Sequence, residues 1–120
     1  MTKFKRGDIV LVLFPDSNLR TAKRRPVLIL QADKLNTGLK QVIVAMVTSN
    51  LSRAGHPSRV LVERQTVIGQ KSGLITDSVI MTDNLATITT AAIDKSIGVW
   101  SDMAAIETAL CHTLGIEKAN

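Results

Sequence analysis

The sequence has few of the residues from which metal, cofactor and nucleophile sites are usually built. It contains one cysteine, two histidines and no tyrosine. A lone Cys111 excludes an intrachain disulfide, and His56 and His112 lack the spacing of zinc-binding motifs, so no metal is predicted. The seven glycines are dispersed and form no phosphate-binding loop, so no cofactor is predicted either. There is also no Gly-x-Ser-x-Gly motif of a hydrolase.

Long apolar runs are absent as well. None approaches the roughly 20 residues of a membrane-spanning helix, and residues 1–8 lack the apolar region of a signal peptide. These absences predict a cytoplasmic protein with no membrane partner. The chain has 120 residues, of which 45% are hydrophobic, which is typical of a single domain over residues 1–120 with its own core.

Positive charge, by contrast, is abundant and unevenly distributed. The net charge is +5, and residues 1–64 carry 12 Lys and Arg against 4 Asp and Glu, whereas residues 65–120 carry 3 against 6. Such asymmetry favours a basic face for a polyanion, although simple solubility is the alternative interpretation. The scarcity of aromatic side chains argues the other way, since single-strand binders usually stack bases on them.

Runs of β-branched and aliphatic residues, separated by turn signals, predict several short strands. A helix is predicted at the end of the chain, where Ser101 can cap its start, apolar residues recur at helical spacing from Met103 to Leu114, and Gly115 can end it. The pattern indicates a small barrel-like α+β domain. The predicted strands cover residues 7–14, 25–31, 41–48, 59–62, 74–81, 82–89 and 97–100, with a basic loop over residues 15–24.

Two polar positions stand at the ends of predicted buried strands. Arg25 is held at the start of one strand by Pro26, so its guanidinium could bind phosphate oxygens in bidentate fashion and stabilise charge in a transition state. Thr48 and Ser49 end the next strand, where a hydroxyl could bind a phosphate oxygen or an attacking 2′-hydroxyl. The plainer alternatives are a surface cation for Arg25 and local backbone capping for the hydroxyls.

An ordered set of short motifs resembles one protein family. The motifs are Lys5-Arg6-Gly7-Asp8-Ile9-Val10, Phe14-Pro15-Asp16-Ser17, Lys23-Arg24-Arg25-Pro26-Val27-Leu28-Ile29-Leu30, Ala45-Met46-Val47-Thr48-Ser49-Asn50 and Asp77-Ser78-Val79-Ile80. Together they resemble the MazF/PemK (Kid) toxins of bacterial type II toxin–antitoxin systems over nearly the whole chain. The resemblance implies an α+β, mostly β fold, an SH3-like barrel of antiparallel strands with a C-terminal helix, as in MazF, PemK and CcdB.

The resemblance also implies an activity and a set of site residues. The activity is metal-independent, sequence-specific endoribonuclease cleavage of single-stranded RNA, typically mRNA, by 2′-hydroxyl attack that leaves a 2′,3′-cyclic phosphate. The matching catalytic pair is Arg25 and Thr48, and Asp83 is a candidate proton acceptor, with a turn carboxylate as the alternative. The RNA-binding candidates are Phe14, Ser17, Arg20, Lys23, Arg24, Ser49 and Arg53.

Partners follow from the same resemblance. We expect a homodimer, a cognate antitoxin that lays an acidic, initially disordered segment over the basic groove, and operator DNA only through the antitoxin complex. The loop from Asn18 to Lys23 departs from the pattern of well-known members and matches the Phe-Pro branch of PemK-like proteins, so no cut-site preference is transferred. Two alternatives stay open: a non-catalytic toxin that poisons gyrase by contact, as CcdB does, or a decayed toxin retaining only antitoxin or RNA binding.

Overall fold

Six antiparallel strands form one sheet, and a helix follows the last strand. The structure is a computed structural model that describes residues 4–15, 18 and 20–117. The sheet order is β4-β5-β3-β2-β1-β6. The elements are β1 (Asp8–Pro15), β2 (Ala22–Ile29), β3 (Gln41–Thr48), β4 (Arg59–Val62), α1 (Val67–Lys71), β5 (Ser78–Thr89), β6 (Ile93–Val99) and α2 (Met103–Leu114), with short 3-10 turns at Leu51–Arg53 and Thr90–Ala92.

Both faces of the central strands are apolar and buried, because successive side chains of a strand point to opposite faces. Ile9, Leu28 and Ile80 belong to one core cluster, which also contains Ile106 of α2. Val10 and Val27 belong to a second cluster on the other face. The continuous aliphatic runs of the sequence are therefore buried on both faces of the sheet, and the C-terminal helix packs on the first cluster.

A close backbone contact joins β6 to the segment between α1 and β5. The chain that follows β4 through α1 passes against β6, where Gly73 lies directly on the carbonyl of Ile97 and Gly98 on the backbone of Ser72. No side chain fits between these segments, and Gly73 has a positive φ of 75°, which glycine adopts without strain.

Several predicted boundaries were wrong. β2 begins at Ala22 and not at residue 25, because its hairpin pairing with β1 continues to Pro15 and Ala22; Lys23 and Arg24 therefore lie in the strand. Residues 78–89 form one bulged strand and β6 begins at Ile93, since pairing with β3 and β1 overrides the weak local signal.

The two helices also differ in detail from the sequence prediction. α1 was missed: it spans only five residues, includes a glycine, and starts where the Thr66 hydroxyl accepts a hydrogen bond from the Gly69 amide. The cap of α2 is Asp102 rather than Ser101, because its carboxylate accepts from the Ala105 amide at 3.2 Å. Gly115 ends α2 in the left-handed conformation, as predicted. None of the helices in the described part of the chain is long and apolar enough to cross a membrane.

Candidate active site

The structure brings Arg25 and Thr48 together. β2 and β3 pair antiparallel with Val27 opposite Met46, and continuing this register by two residues places Arg25 opposite Thr48. Both side chains lie on the face of the sheet that carries the second core cluster, because they alternate in step with Val27 and Met46. A residue inside β2 and the last residue of β3, 23 positions apart in the sequence, thus meet at one point of the sheet surface.

Both groups are available to a substrate. The Arg25 guanidinium is exposed and forms no hydrogen bond or ion pair with any described residue. The half-buried Thr48 hydroxyl accepts a hydrogen bond from the Asn50 amide at 3.1 Å, which fixes its oxygen and leaves its own hydrogen free to donate. An unpaired cation beside an oriented hydroxyl donor is a suitable binding site for phosphate oxygens.

Two depressions meet at this pair. The first, which we call the bulge groove, has a volume of about 480 Å³ and extends from Arg25 and Thr48 to Arg53, Asp83 and Asn84. The second, the loop groove, has a volume of about 290 Å³ and extends on the other side past Arg24, Ser49 and Ile75. Arg25 and Thr48 line both, so a chain of nucleotides lying across the two grooves would place one phosphate on this pair.

The bulge groove takes its name from an irregularity in β5. Met81 pairs with Met46, whereas the next pair along β3 is Ala45 with Leu85. Three residues of β5, numbers 82–84, therefore stand opposite no residue of β3, and they include Asp83. Bulges commonly redirect side chains beside functional sites.

Asp83 is held by Arg59 of β4. The Arg59 guanidinium donates to both carboxylate oxygens, at 3.3 Å from Nε and 2.8 Å from Nη2, and a third donor reaches the Arg53 carbonyl at 3.2 Å. This contact lowers the pKa of Asp83 below its ordinary value, against partial burial, and it raises the pKa of Arg59. Asp83 is therefore ionised at neutral pH but is a weak base.

The bulge is also anchored from beneath by Thr82. This side chain is fully buried, its hydroxyl donates to the Ser58 carbonyl at 2.6 Å, and its amide donates to the same carbonyl at 3.0 Å. Its hydroxyl oxygen also lies 2.9 Å from the Thr113 hydroxyl of α2. Thr82 consequently ties the start of the bulge to the residue before β4 and to the C-terminal helix.

The predicted RNA-binding residues divide into two groups. Arg24, Ser49 and Arg53 line the grooves, although Arg24 forms an ion pair with Asp94 at 3.1 Å. Lys23 and Arg20 are exposed, and Lys23 lies two residues from Arg25 on the same face of β2.

The other two candidates contribute differently. Phe14 is partly buried against the second core cluster, so much of its ring surface stabilises the fold. Ser17 lies outside the described residues.

Sequence reasoning missed Arg59, Asn84 and the two methionines of the bulge groove. Arg59 and Asp83 are 24 residues apart, and only the pairing of β4 with β5 brings them together. His56 is structural in the way the sequence suggested: its Nδ1 accepts from the Ser58 amide at 3.0 Å, and its ring lies edge-on to His112 at 6.0 Å. Within the described residues, no group of three or more metal-binding side chains occurs.

Comparison with known proteins identifies related sequences and folds. Residues 5–114 match the family described as PemK-like, MazF-like toxin of type II toxin–antitoxin system. Endoribonuclease MazF2 of Mycobacterium bovis is 36% identical over 78 residues, which cover 64% of this chain and 68% of that protein.

Solved structures of similar fold support this assignment. The Mycobacterium tuberculosis toxin MazF-mt6 superposes with a TM-score of 0.71 at 26% identity, covering 92% of this chain and 99% of that one. A mycobacterial endoribonuclease in complex with its cognate antitoxin gives a TM-score of 0.73 at 20% identity, with 97% and 99% covered. The predicted mostly β fold with a C-terminal helix is thereby confirmed.

Proposed function

Since this chain belongs to the PemK-like, MazF-like toxins of type II toxin–antitoxin systems and is an RNA-cleaving toxin of that family, we propose that Arg25 and Thr48 are its catalytic pair. The observation that carries this proposal is the position of both groups on the shared floor of two grooves. A free guanidinium there meets a hydroxyl whose oxygen is already fixed. Such preorganisation stabilises a charged transition state without further rearrangement.

The proposed reaction uses the RNA itself as the nucleophile. The 2′-hydroxyl attacks the adjacent phosphorus, the bond to the 5′-oxygen breaks, and a 2′,3′-cyclic phosphate and a 5′-hydroxyl result. Arg25 binds the non-bridging oxygens in bidentate fashion as negative charge develops, and the Thr48 hydroxyl donates to one of them. Because the nucleophile is not a metal-bound water, these residues need no metal and no cofactor for this step.

Asp83 is the proposed acceptor of the 2′-hydroxyl proton. It lines the same groove as Arg25 and Thr48, and its lowered pKa keeps it ionised at neutral pH, as a proton acceptor must be. The same shift weakens it as a base, since proton transfer becomes less favourable as the pKa falls. Most of the rate enhancement is therefore assigned to charge stabilisation by Arg25.

Binding of single-stranded RNA is assigned to the exposed cations around the grooves. Arg20, Lys23 and Arg53 form no ion pair with any described residue, so they can neutralise phosphates and make affinity depend on salt. Ser49 and Arg24 line the loop groove and extend this surface beyond the cleaved bond. By analogy with the family, the proposed substrate is mRNA, cleaved at a short sequence motif in the cytoplasm.

Neutralisation is assigned to a cognate antitoxin whose acidic segment covers the basic grooves. Charge complementarity supports it, because the free cations that would hold RNA would equally hold carboxylates. We further propose a homodimer, with operator DNA bound only through the antitoxin complex. These assignments follow the family, in which a solved relative is described in complex with its cognate antitoxin.

Purified protein incubated with a long single-stranded RNA in EDTA tests the proposal. Wild type is expected to cleave and to leave cyclic phosphate ends, whereas Arg25→Ala and Thr48→Ala lose cleavage by about 100-fold or more. Arg64→Ala, which removes an exposed arginine outside both grooves, is the matched control and should cleave normally. Expression of the same variants in growing cells tests the alternative. If Arg25→Ala arrests growth as wild type does, and neither purified protein cleaves RNA, the protein is a contact poison and the proposal fails.

A further inference from the structure

We propose that Asn84 is a specificity-determining residue that reads the edge of a nucleobase lying in the bulge groove, beside the phosphate held by Arg25 and Thr48. This inference rests on the proposed function. It adds that a nucleobase, and not a second phosphate, occupies this groove. It also assigns a role to a residue that neither cleaves the bond nor carries charge.

The first observation is the way in which the bulge presents Asn84. The three residues 82–84 stand opposite no residue of β3, so Asn84 is released from the strand alternation that would fix its direction. Its side chain is exposed, lines the bulge groove and forms no hydrogen bond with any described residue. Its amide is therefore free to pair with a ligand.

The second observation is that this bulge is rigidly held. Thr82, two residues before Asn84, is buried and donates a hydrogen bond to the Ser58 carbonyl. Asp83, directly before Asn84, accepts two hydrogen bonds from the Arg59 guanidinium. Because the backbone is already fixed, binding a base orders only the rotamers of the Asn84 side chain and no loop, which favours selective recognition.

The third observation is the chemistry of the groove floor. Met46 and Met81 are cross-strand neighbours, both half-buried, and both line the groove. Their polarisable apolar side chains form a surface for the face of a base, and they replace the aromatic platforms that this sequence lacks. Because Arg59 neutralises the Asp83 carboxylate beside Asn84, the apolar floor between the two methionines suits a neutral base.

An asparagine amide suits this task, because it offers two N–H donors and one carbonyl acceptor. Base edges combine donors and acceptors in the same way, and in single-stranded RNA the Watson–Crick edges are free. Phosphate offers acceptors only. The groove thus combines an anion site at Arg25 with a base-reading site at Asn84.

Mapping of cleavage ends on a long RNA of mixed sequence tests the inference. Asn84→Ala is expected to lower cleavage at the preferred sites by about 10- to 100-fold and to relax the preference at one nucleotide position only. Asn84→Asp, which keeps the shape but replaces the N–H donors with an acceptor, should change the preferred base at that same position. Asn36→Ala, which removes an exposed asparagine of the loop between β2 and β3, is the control and should keep the wild-type pattern.

The other outcomes are equally distinct, once circular dichroism has shown that the variants are folded. A wild-type pattern from both Asn84 variants overturns the inference while leaving the proposed function intact. Folded Asn84 variants that cleave no RNA would place the residue in the cleavage machinery, which also overturns a role in specificity. Failure of the wild type to cleave any RNA would instead overturn the proposed function itself.

Discussion

The two walls of the bulge groove differ in whether their charged side chains are paired. On the wall made by β2 and β3, the Arg25 guanidinium is exposed and has no partner among the described residues. On the wall made by the β5 bulge, Asp83 is bound through both carboxylate oxygens by Arg59. The first wall offers an unpaired positive charge to a ligand. In the second wall the charges of Asp83 and Arg59 pair with each other and fix the position of the bulge.

This difference separates two tasks within one groove. A free cation gains most of its interaction energy from a substrate phosphate, because no protein partner competes for it. A paired carboxylate interacts more weakly with a substrate but holds its neighbours in place. We therefore expect substitutions on the first wall to abolish chemistry, and substitutions on the second to alter geometry, specificity and pH dependence.

The largest effect is expected from Arg25→Lys, which keeps the charge of the first wall but removes its planar fork. Bidentate binding of the phosphorane is lost, so single-turnover cleavage should fall by about 100-fold. Arg64→Lys, outside both grooves, should leave the rate unchanged. A lysine variant with nearly normal cleavage would show that the first wall needs only a point charge, and would remove bidentate binding from the mechanism.

A smaller effect, on the order of tenfold, is expected from Arg59→Gln on the second wall, because Asp83 loses its fixed position. Without Arg59 the pKa of Asp83 rises back toward its ordinary value. The acidic limb of the pH–rate profile should therefore move to higher pH. Arg59→Lys should restore part of both properties.

A double variant tests whether Arg59 acts through Asp83. If Arg59 acts through Asp83, the double variant Arg59→Gln/Asp83→Asn cleaves no more slowly than Asp83→Asn alone. Multiplied losses would show that Arg59 acts independently. An unchanged rate and pH profile in Arg59→Gln would remove any positioning role for the second wall.

The neighbours Lys23 and Arg24 extend the comparison to RNA affinity, where changes of several-fold are expected. Lys23 is exposed and forms no ion pair with any described residue, whereas Arg24 is bound to Asp94. Replacing a free cation that contacts phosphate should lower the slope of log affinity against log salt by about 0.7 for single strands. Lys23→Ala should show this decrease and Arg24→Ala less of it, measured by fluorescence anisotropy with a cleavage-resistant RNA. Equal decreases would mean that Asp94 releases Arg24 to the RNA.

The smallest effect concerns stability and pH. The folded-state pKa of Asp83 is lowered, so the Arg59–Asp83 pair stabilises fully above the ordinary aspartate pKa and progressively less as the pH falls through the lowered value. Asp83→Asn should slightly reduce the thermal unfolding midpoint at neutral pH, since both side chains are partly exposed. The difference from wild type should disappear in acid; a difference that persists there would have another cause.

Arg25 and Thr48 of the first wall and Asp83 of the second could be named from the sequence, whereas the contacts that shape the second wall could not, for a physical reason. Thr48 ends β3 where the aliphatic run stops, and Arg25 was singled out by Pro26 and by the family resemblance, although it lies inside β2 rather than at its start. Arg59 and Asp83 depend instead on a register shift between β3 and β5, which no local pattern encodes. The start of β2 was missed because its pairing with β1 sets it, and α1 was missed because a five-residue helix with one capping threonine gives too weak a local signal.

The anchoring of the bulge has a consequence for how such toxins diversify. Thr82 and Arg59 hold this segment through contacts that do not involve the Asn84 side chain, so position 84 can change without disturbing strand pairing or the core. With the proposed role of Asn84, single substitutions at this position would change the target site while the fold and the proposed catalytic pair stay the same. The bulge would then carry a variable recognition position on an otherwise unchanged fold.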